Sequence, residues 1–361
     1  MPRAREVGIS IGTLPTGPTN SVLDVAGVGL GHVTLVRDEA APPDGRGTAR
    51  TGVTTLVLAE DAYTRPLAAG GAVLNGAGEC TGFLSAREWA AIETPVHLTS
   101  TMQLGRVYDA ACTIALEQHP GIVDDVVIPV VAECDDSFLN DCRVMQVQPD
   151  DVRASYRAAL ESRGASTPPG EGSIGAGTGM SCLGFKGGIG TSSRVTPAGH
   201  TVAVLLLTNF GERKRLTVAG VPVGALLPPE EAPGPGPAGS CIGVVVTDAP
   251  VAGSDCTRLA RRIGLGLART GSTAHHGSGE IFLAASTTCR TDRDGHVGDG
   301  PRVAGRGLDD LFEAVVDAAE EAVLDSLLCS ATSVGRDGHR SEGLDPAVVT
   351  RLLEEAGRAG Q

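Results

Sequence analysis

Between Gly239 and Ser240 the chain changes character within a single peptide bond. Residues 226–239 read LLPPEEAPGPGPAG, where proline withholds backbone donors and fixes φ, so neither a helix nor a strand ladder can be sustained. Residues 240–247, SCIGVVVT, form a β-branched apolar run of the kind that fills the middle of a sheet. Whatever the fold, a polar connector must therefore feed straight into an interior strand.

The rest of the chain supplies the partners for such a strand. Glycine and proline are abundant, at 50 and 22 of 361 residues, yet the apolar stretches 126–131 and 202–207 require a packed core. Aromatic residues make up only 3 %, so that core must be Val, Leu, Ile and Ala packed closely around glycine. Composition and periodicity predict strands over 31–37, 51–58, 126–132, 200–207, 240–247 and 279–286. They predict helices over 84–92, 106–117, 149–163, 256–270 and 308–330, and a last helix to about residue 355 with Asp345 as N-cap and Pro346 at its first position. Asp150 or Asp151 is available to cap the third of these. The helix 308–330 is amphipathic, with Leu311, Val315, Ala318, Ala322 and Leu328 facing inward. Strands and helices alternate in blocks without a βαβ rhythm, which favours a mixed layered sandwich over a dinucleotide-binding fold.

Several function classes are disfavoured. A formal charge of −14 with no basic cluster opposes binding to nucleic acid. The nine cysteines are scattered, without a CxxC pair, as expected of free thiols in a reducing, cytoplasmic setting. No secretion signal and no membrane span are expected, since no apolar run approaches the necessary length. The glycine-rich stretch 171–194 contains Lys186, but Gly187 follows it, so the phosphate-loop pattern GxxxxGK[ST] is not met. That stretch is either a structural wrap or one wall of an active site. His275 and His276 are adjacent, would face opposite ways on a strand, and lack an HExxH context, so no metal site is expected.

The remaining chemistry gathers around Ser240. There is no GxSxG elbow. If the bond after Gly239 is cut, however, Ser240 becomes N-terminal, and its own α-amine, with a reference pKa near ~8, can take the hydroxyl proton. Ser278 and Glu280 lie two apart and share one face if they are on a strand, either to orient an amine or nucleophile or simply to meet solvent.

Over nearly its whole length the chain resembles the DmpA-like N-terminal-nucleophile peptidases, the L-aminopeptidase/D-esterase and β-peptidyl aminopeptidase group. The resemblance rests on Gly17-Pro18-Thr19-Asn20 with Asp24-Val25 and Gly31-His32, and on Asn75-Gly76 with Gly78-Glu79 and Thr81-Gly82. It continues through Gly175-Ala176-Gly177-Thr178-Gly179, Lys186 to Arg194, Gly239-Ser240, Thr247-Asp248-Ala249-Pro250, and Gly335-Arg336-Asp337-Gly338-His339. The resemblance implies an α+β fold, a single four-layer αββα sandwich of the DmpA and ornithine acetyltransferase type spanning 1–361. It further implies self-cleavage between Gly239 and Ser240 into associated chains 1–239 and 240–361. Ser240 would be the nucleophile, Asn209 the oxyanion donor, Ser278 and Glu280 the supporting pair, and Glu133 an acidic position for the substrate amine. The implied activity is hydrolysis of short peptides, amides or esters with a free N-terminal amine, with no cofactor and no metal, in a homo-oligomer. An acyltransferase on the same scaffold and an unprocessed binding protein remain alternatives. Departures from the family pattern are Cys241 after the nucleophile, which a cut shifted by one bond would expose, and Cys134-Asp135-Asp136 and Thr208-Asn209-Phe210 near the pocket.

Overall fold

The computed structural model describes residues 1–122, 124–228, 239–296, 298 and 300–357. Its first six strands are β1 (Gly29–Asp38), β2 (Thr48–Val57), β3 (Leu67–Gly76), β4 (Ala91–Ile92), β5 (Val96–Ser100) and β6 (Val130–Cys134). After the short pair β7 (Ser181–Cys182) and β8 (Phe185–Lys186) come β9 (Ile189–Val195), β10 (Thr201–Asn209), β11 (Ser240–Thr247) and β12 (Gly279–Arg290), then the small hairpin β13 (Ser333–Val334) and β14 (Arg340–Ser341). The α-helices are α1 (Leu104–Gln118), α2 (Pro149–Glu161), α3 (Val223–Leu226), α4 (Gly253–Arg269), α5 (Asp309–Leu328) and α6 (Pro346–Glu355).

Two sheets stack face to face, one of order β1-β2-β5-β6 and one of order β4-β3-β12-β11-β10-β9. Strand alternation assigns their faces. Leu205, Leu207, Ile242, Val244 and Leu283 point toward Leu98 of the smaller sheet, while Val204, Leu206, Val245, Phe282 and Ala284 point to α4 and α5. Val53 and Val131, on the outer face of the smaller sheet, pack against Val107 and Ile114 of α1 and Val152 of α2. The result is the expected αββα sandwich. Every residue of β11 is buried, each large aliphatic side chain contributing about 1.5–3 kcal/mol on burial. Glycine lets the layers close up. A Cβ on Gly190 of β9 would sit 1.8 Å from the Ala322 carbonyl oxygen of α5, and one on Gly31 of β1 2.2 Å from the Ser155 carbonyl oxygen of α2.

The long helix departs from expectation in one respect: its acidic face is also buried. Asp317, Glu320, Glu321 and Asp325 of α5 are all covered. Their cover is cationic. Arg194 of β9, fully buried, meets Glu321 at 2.6 Å, and Arg5 reaches the same carboxylate at 2.8 Å. Arg3 bridges Asp325 at 3.0 Å and Glu171 at 2.5 Å, and Arg269 of α4 pairs with Asp317 at 2.6 Å. The N-terminal segment is thereby drawn into the interior. Lys186 is likewise buried, and its ammonium donates to the carbonyls of Gly177, Met180 and Gly187 at 3.1, 2.6 and 2.8 Å, which uses all three donors and fastens the glycine-rich turn to β8. The stretch 171–194 thus folds as a glycine-rich wrap that runs through β7 and β8 into β9.

Other local expectations shift for identifiable reasons. Residues 84–92 make only one wide helical turn, Ser85–Trp89, closed by Ala90 at φ +57, after which β4 pairs with β3 at the sheet edge. The strand expected over 126–132 begins after Pro129, which has no amide to donate, and runs on through Glu133 and Cys134. Gln148 is the N-cap residue of α2, and Asp151, at the third helical position, completes the cap by accepting the Gln148 backbone N–H at 2.8 Å. Strand β12 extends to Arg290, four residues beyond the expected end at 286. Among the described residues no helix is long and apolar enough to cross a membrane.

Glu321→Ala leaves Arg194 buried without its counter-charge, and the expected loss is about 3–5 kcal/mol of unfolding free energy. Urea denaturation monitored by far-ultraviolet circular dichroism measures it.

Candidate active site

The site forms where three strands of the larger sheet share an end. Ser240 opens β11, opposite Asn209, the last residue of antiparallel β10, and Gly279, the first residue of parallel β12. This register collects residues separated by 30 or more positions in sequence. Ser240 is 4 % exposed, and its Oγ is buried without a hydrogen bond. It lies on the inter-sheet face, near enough to the Cys134 thiol to act on its protonation, though burial dominates there and pushes the thiol up. The preceding Gly239 carbonyl accepts a hydrogen bond from the Gly279 N–H at 3.1 Å. A Cβ on Gly239 would stand 2.9 Å from the Ser278 Oγ, so only glycine fits there without displacing that hydroxyl.

Ser278 and Glu280 do share a face, and both are buried. The Ser278 hydroxyl donates to Glu280 Oε1, while Oε2 is buried without a hydrogen bond. Burial pushes the Glu280 carboxyl above its ordinary range, and the bond from Ser278 opposes that rise. The turn before them is pinned by Asn75, whose side-chain amide donates to the His275 carbonyl at 2.8 Å. His275 itself faces outward near Glu212.

The side chain of Asn209 is oriented from both ends. Its Oδ1 accepts from the Ser181 N–H at 2.9 Å, and its Nδ2 donates to the Asp135 carbonyl at 2.8 Å. The amide therefore cannot flip without losing both bonds. Glu133 sits one residue before Cys134 at the end of β6, its carboxylate accepting from the Glu79 N–H at 2.8 Å and from the Thr101 hydroxyl. Burial pushes the Glu133 carboxyl up, with the Thr101 bond the leading opposing influence. The loop through Gly78 connects Glu133 to the Ser240 end of the sheet: a Cβ there would lie 3.2 Å from Glu133 Oε1 and 3.8 Å from the Gly279 Cα.

Cys241 points the other way. It belongs to the cluster beneath α4 and α5, and burial drives its thiol well above the ordinary range, leaving a neutral packing group. The structure thus brings Ser240, Asn209, Ser278 and Glu280 to one strand end, with Glu133 close by across the Gly78 loop. Thr101, Ser181 and the Asp135 carbonyl were not singled out from sequence, and only the end of β5, had it been recognised, pointed to Thr101. Chemically, this strand end and the loop beside it offer a hydroxyl, an oriented amide donor and two buried carboxyl groups, the elements of acyl transfer with recognition of a cation.

The model of peptidase family S58 matches residues 20–341. The chain is similar to a β-peptidyl aminopeptidase, BapA, of Sphingosinicella microcystinivorans, 36 % identical over 98 % of this chain and 92 % of that one. Among solved structures it is similar to the PH0078 protein of Pyrococcus horikoshii, with a TM-score of 0.91 and 38 % identity over 99 % of this chain and 100 % of that one. It is also similar to the L-aminopeptidase D-Ala-esterase/amidase of Ochrobactrum anthropi, described as a prototype serine aminopeptidase and a variant of the Ntn hydrolase fold, with a TM-score of 0.88 and 35 % identity over 99 % and 100 % of the two chains. With its sandwich, its strand-end site and a family match over most of its length, the chain belongs to peptidase family S58, the aminopeptidases of the Ntn hydrolase fold.

Proposed function

We propose that the chain cuts itself between Gly239 and Ser240 and then hydrolyses short peptides, amides or esters that carry a free N-terminal amine. The observation that carries this reading is the Ser240 hydroxyl, buried without a hydrogen bond at the first residue of a central strand, between Asn209 and the Ser278–Glu280 pair. In self-cleavage the Ser240 Oγ adds to the Gly239 carbonyl carbon and the C–N bond breaks, giving an ester and freeing the α-amine of Ser240. Water then hydrolyses the ester and leaves a carboxylate on Gly239. In turnover that amine takes the Ser240 hydroxyl proton as Oγ attacks the substrate acyl carbon, and passes it to the leaving group. Water repeats the sequence on the acyl-enzyme.

The other side chains divide the work. The Asn209 amide donates to the oxyanion, Ser278, held by Glu280, steadies the new N-terminus, and Glu133 pairs with the substrate ammonium. Glu133 and Glu280 supply negative charge where an aminopeptidase must hold a cation. Nine free cysteines support a reducing, cytoplasmic setting, and a homo-oligomer of processed protomers belongs to the same reading.

Denaturing intact mass spectrometry of the wild type gives two fragments meeting between Gly239 and Ser240, while Ser240→Ala stays whole and inactive. A homogeneous uncut wild type sinks the self-processing reading. Glu133→Gln is expected to lower kcat/KM for amine-bearing substrates by roughly 10- to 100-fold, the worth of a charge-assisted hydrogen bond. Because burial raises the Glu133 carboxyl, it protonates before an ordinary carboxylate as pH falls. On the acid side of the wild-type kcat/KM profile, below the limb set by protonation of the Ser240 α-amine, loss of the Glu133 charge adds a further fall that is absent in Glu133→Gln; pH profiles of the two proteins check this.

A further inference from the structure

The Gly335-Arg336-Asp337-Gly338-His339 motif has no part in the chemistry above, yet its contacts lead to the site. His339 Nδ1 donates to the Phe138 carbonyl at 2.7 Å, which fixes that nitrogen as the protonated one, and the two rings stack with centroids 4.8 Å apart. Arg336 donates from Nε to the Ser137 carbonyl at 2.5 Å and from its backbone N–H to the Leu139 carbonyl at 2.8 Å. Gly335 lies so close that a Cβ would be 2.2 Å from the Leu139 carbonyl oxygen, although its backbone, at φ −120, would accept any residue.

The loop so held begins with Asp135, whose carbonyl receives the Asn209 Nδ2. The opposite end of the same amide is held by the Ser181 N–H, and the Ser181 hydroxyl is hydrogen-bonded to that of Ser341 at 2.9 Å, where the motif enters β14. One segment near the end of the chain thus reaches both ends of the Asn209 side chain, each time through one intermediate. We propose that Gly335 to Ser341 braces the Asn209 amide, with Arg336 and His339 as positioning residues that aim its N–H at the oxyanion. This rests on the reading of Asn209 as the oxyanion donor.

The test uses processed full-length enzyme with a dipeptide amide as substrate, an α-amino aldehyde as transition-state analogue and the free amino acid as ground-state probe. A small misplacement of a catalytic donor costs up to about 100-fold, so His339→Ala is expected to lose about tenfold in kcat. The aldehyde Ki rises by the same factor, while KM and the amino-acid Ki stay within about twofold. His339→Asn, whose side-chain amide keeps a donor for the Phe138 carbonyl, returns both values to wild type. Gly335→Ala presses the Leu139 carbonyl away, removes no hydrogen-bonding side chain, and gives the same pattern, keeping the test open should His339→Ala fail to fold.

Loss of kcat without weaker aldehyde binding, or His339→Asn as slow as His339→Ala, overturns the brace. Asn209→Ala separates the two levels. If it leaves kcat and the aldehyde Ki at wild type, the oxyanion reading fails and the brace falls with it. A slow Asn209→Ala beside wild-type His339→Ala and Gly335→Ala removes the brace alone.

Discussion

The pairing register of β11 decides where Ser240 stands relative to Asn209 and to the Ser278–Glu280 pair. Because a strand alternates its faces, a slip of one residue would turn Ser240 toward the helices and present the neutral thiol of Cys241 to the inter-sheet space. The register is held on both sides: Asn209 pairs with Ser240 from antiparallel β10, and Gly279 from parallel β12. The apolar pattern Ile242, Val244, Val246 on one face and Val245 on the other admits only one solution between two packed layers. Core packing and the position of the Ser240 hydroxyl are therefore one constraint.

Charge performs a complementary task on the far side of the larger sheet. Burying Arg194 and Glu321 together is costly in desolvation and offset only by close geometry and further hydrogen bonds, which Ser192, Ile11 and Arg5 provide. Such a network specifies one arrangement of α5, β9 and the N-terminal segment, where an apolar stripe alone would tolerate several. The glycines at the helix contacts bring the backbones close enough for these short pairs to form.

Much of this was legible in sequence where a local signal was strong. The run 240–247 and the helices around 256–270 and 308–330 carry periodicities that tertiary packing did not override. Strand β3 was missed because LAAGGAVLNG has poor β propensity, its Gly70 being required by contact instead: a Cβ there would lie 2.3 Å from the Thr257 amide nitrogen of α4. Strand β9 was hidden in a glycine-rich run for a similar reason. Asn209 and Glu133 were found through family resemblance alone, whereas the two-residue spacing of Ser278 and Glu280 already put that pair on one face; spacing cannot show that the four meet beside Ser240. Thr101 and the Asp135 carbonyl act through tertiary register, which leaves no local trace.

The strand order β3-β12-β11-β10 has a consequence for subunit integrity. Both middle strands come from residues after 239 and both flanking strands from residues before it, so a chain severed there is interleaved with itself. Pulling the pieces apart means shearing two strand interfaces at once and opening the core between the sheets. Were the chain cut after Gly239, the association of its pieces would be topological as much as energetic: they would stay partnered for that molecule's lifetime, and exchange between molecules would have to wait for global unfolding.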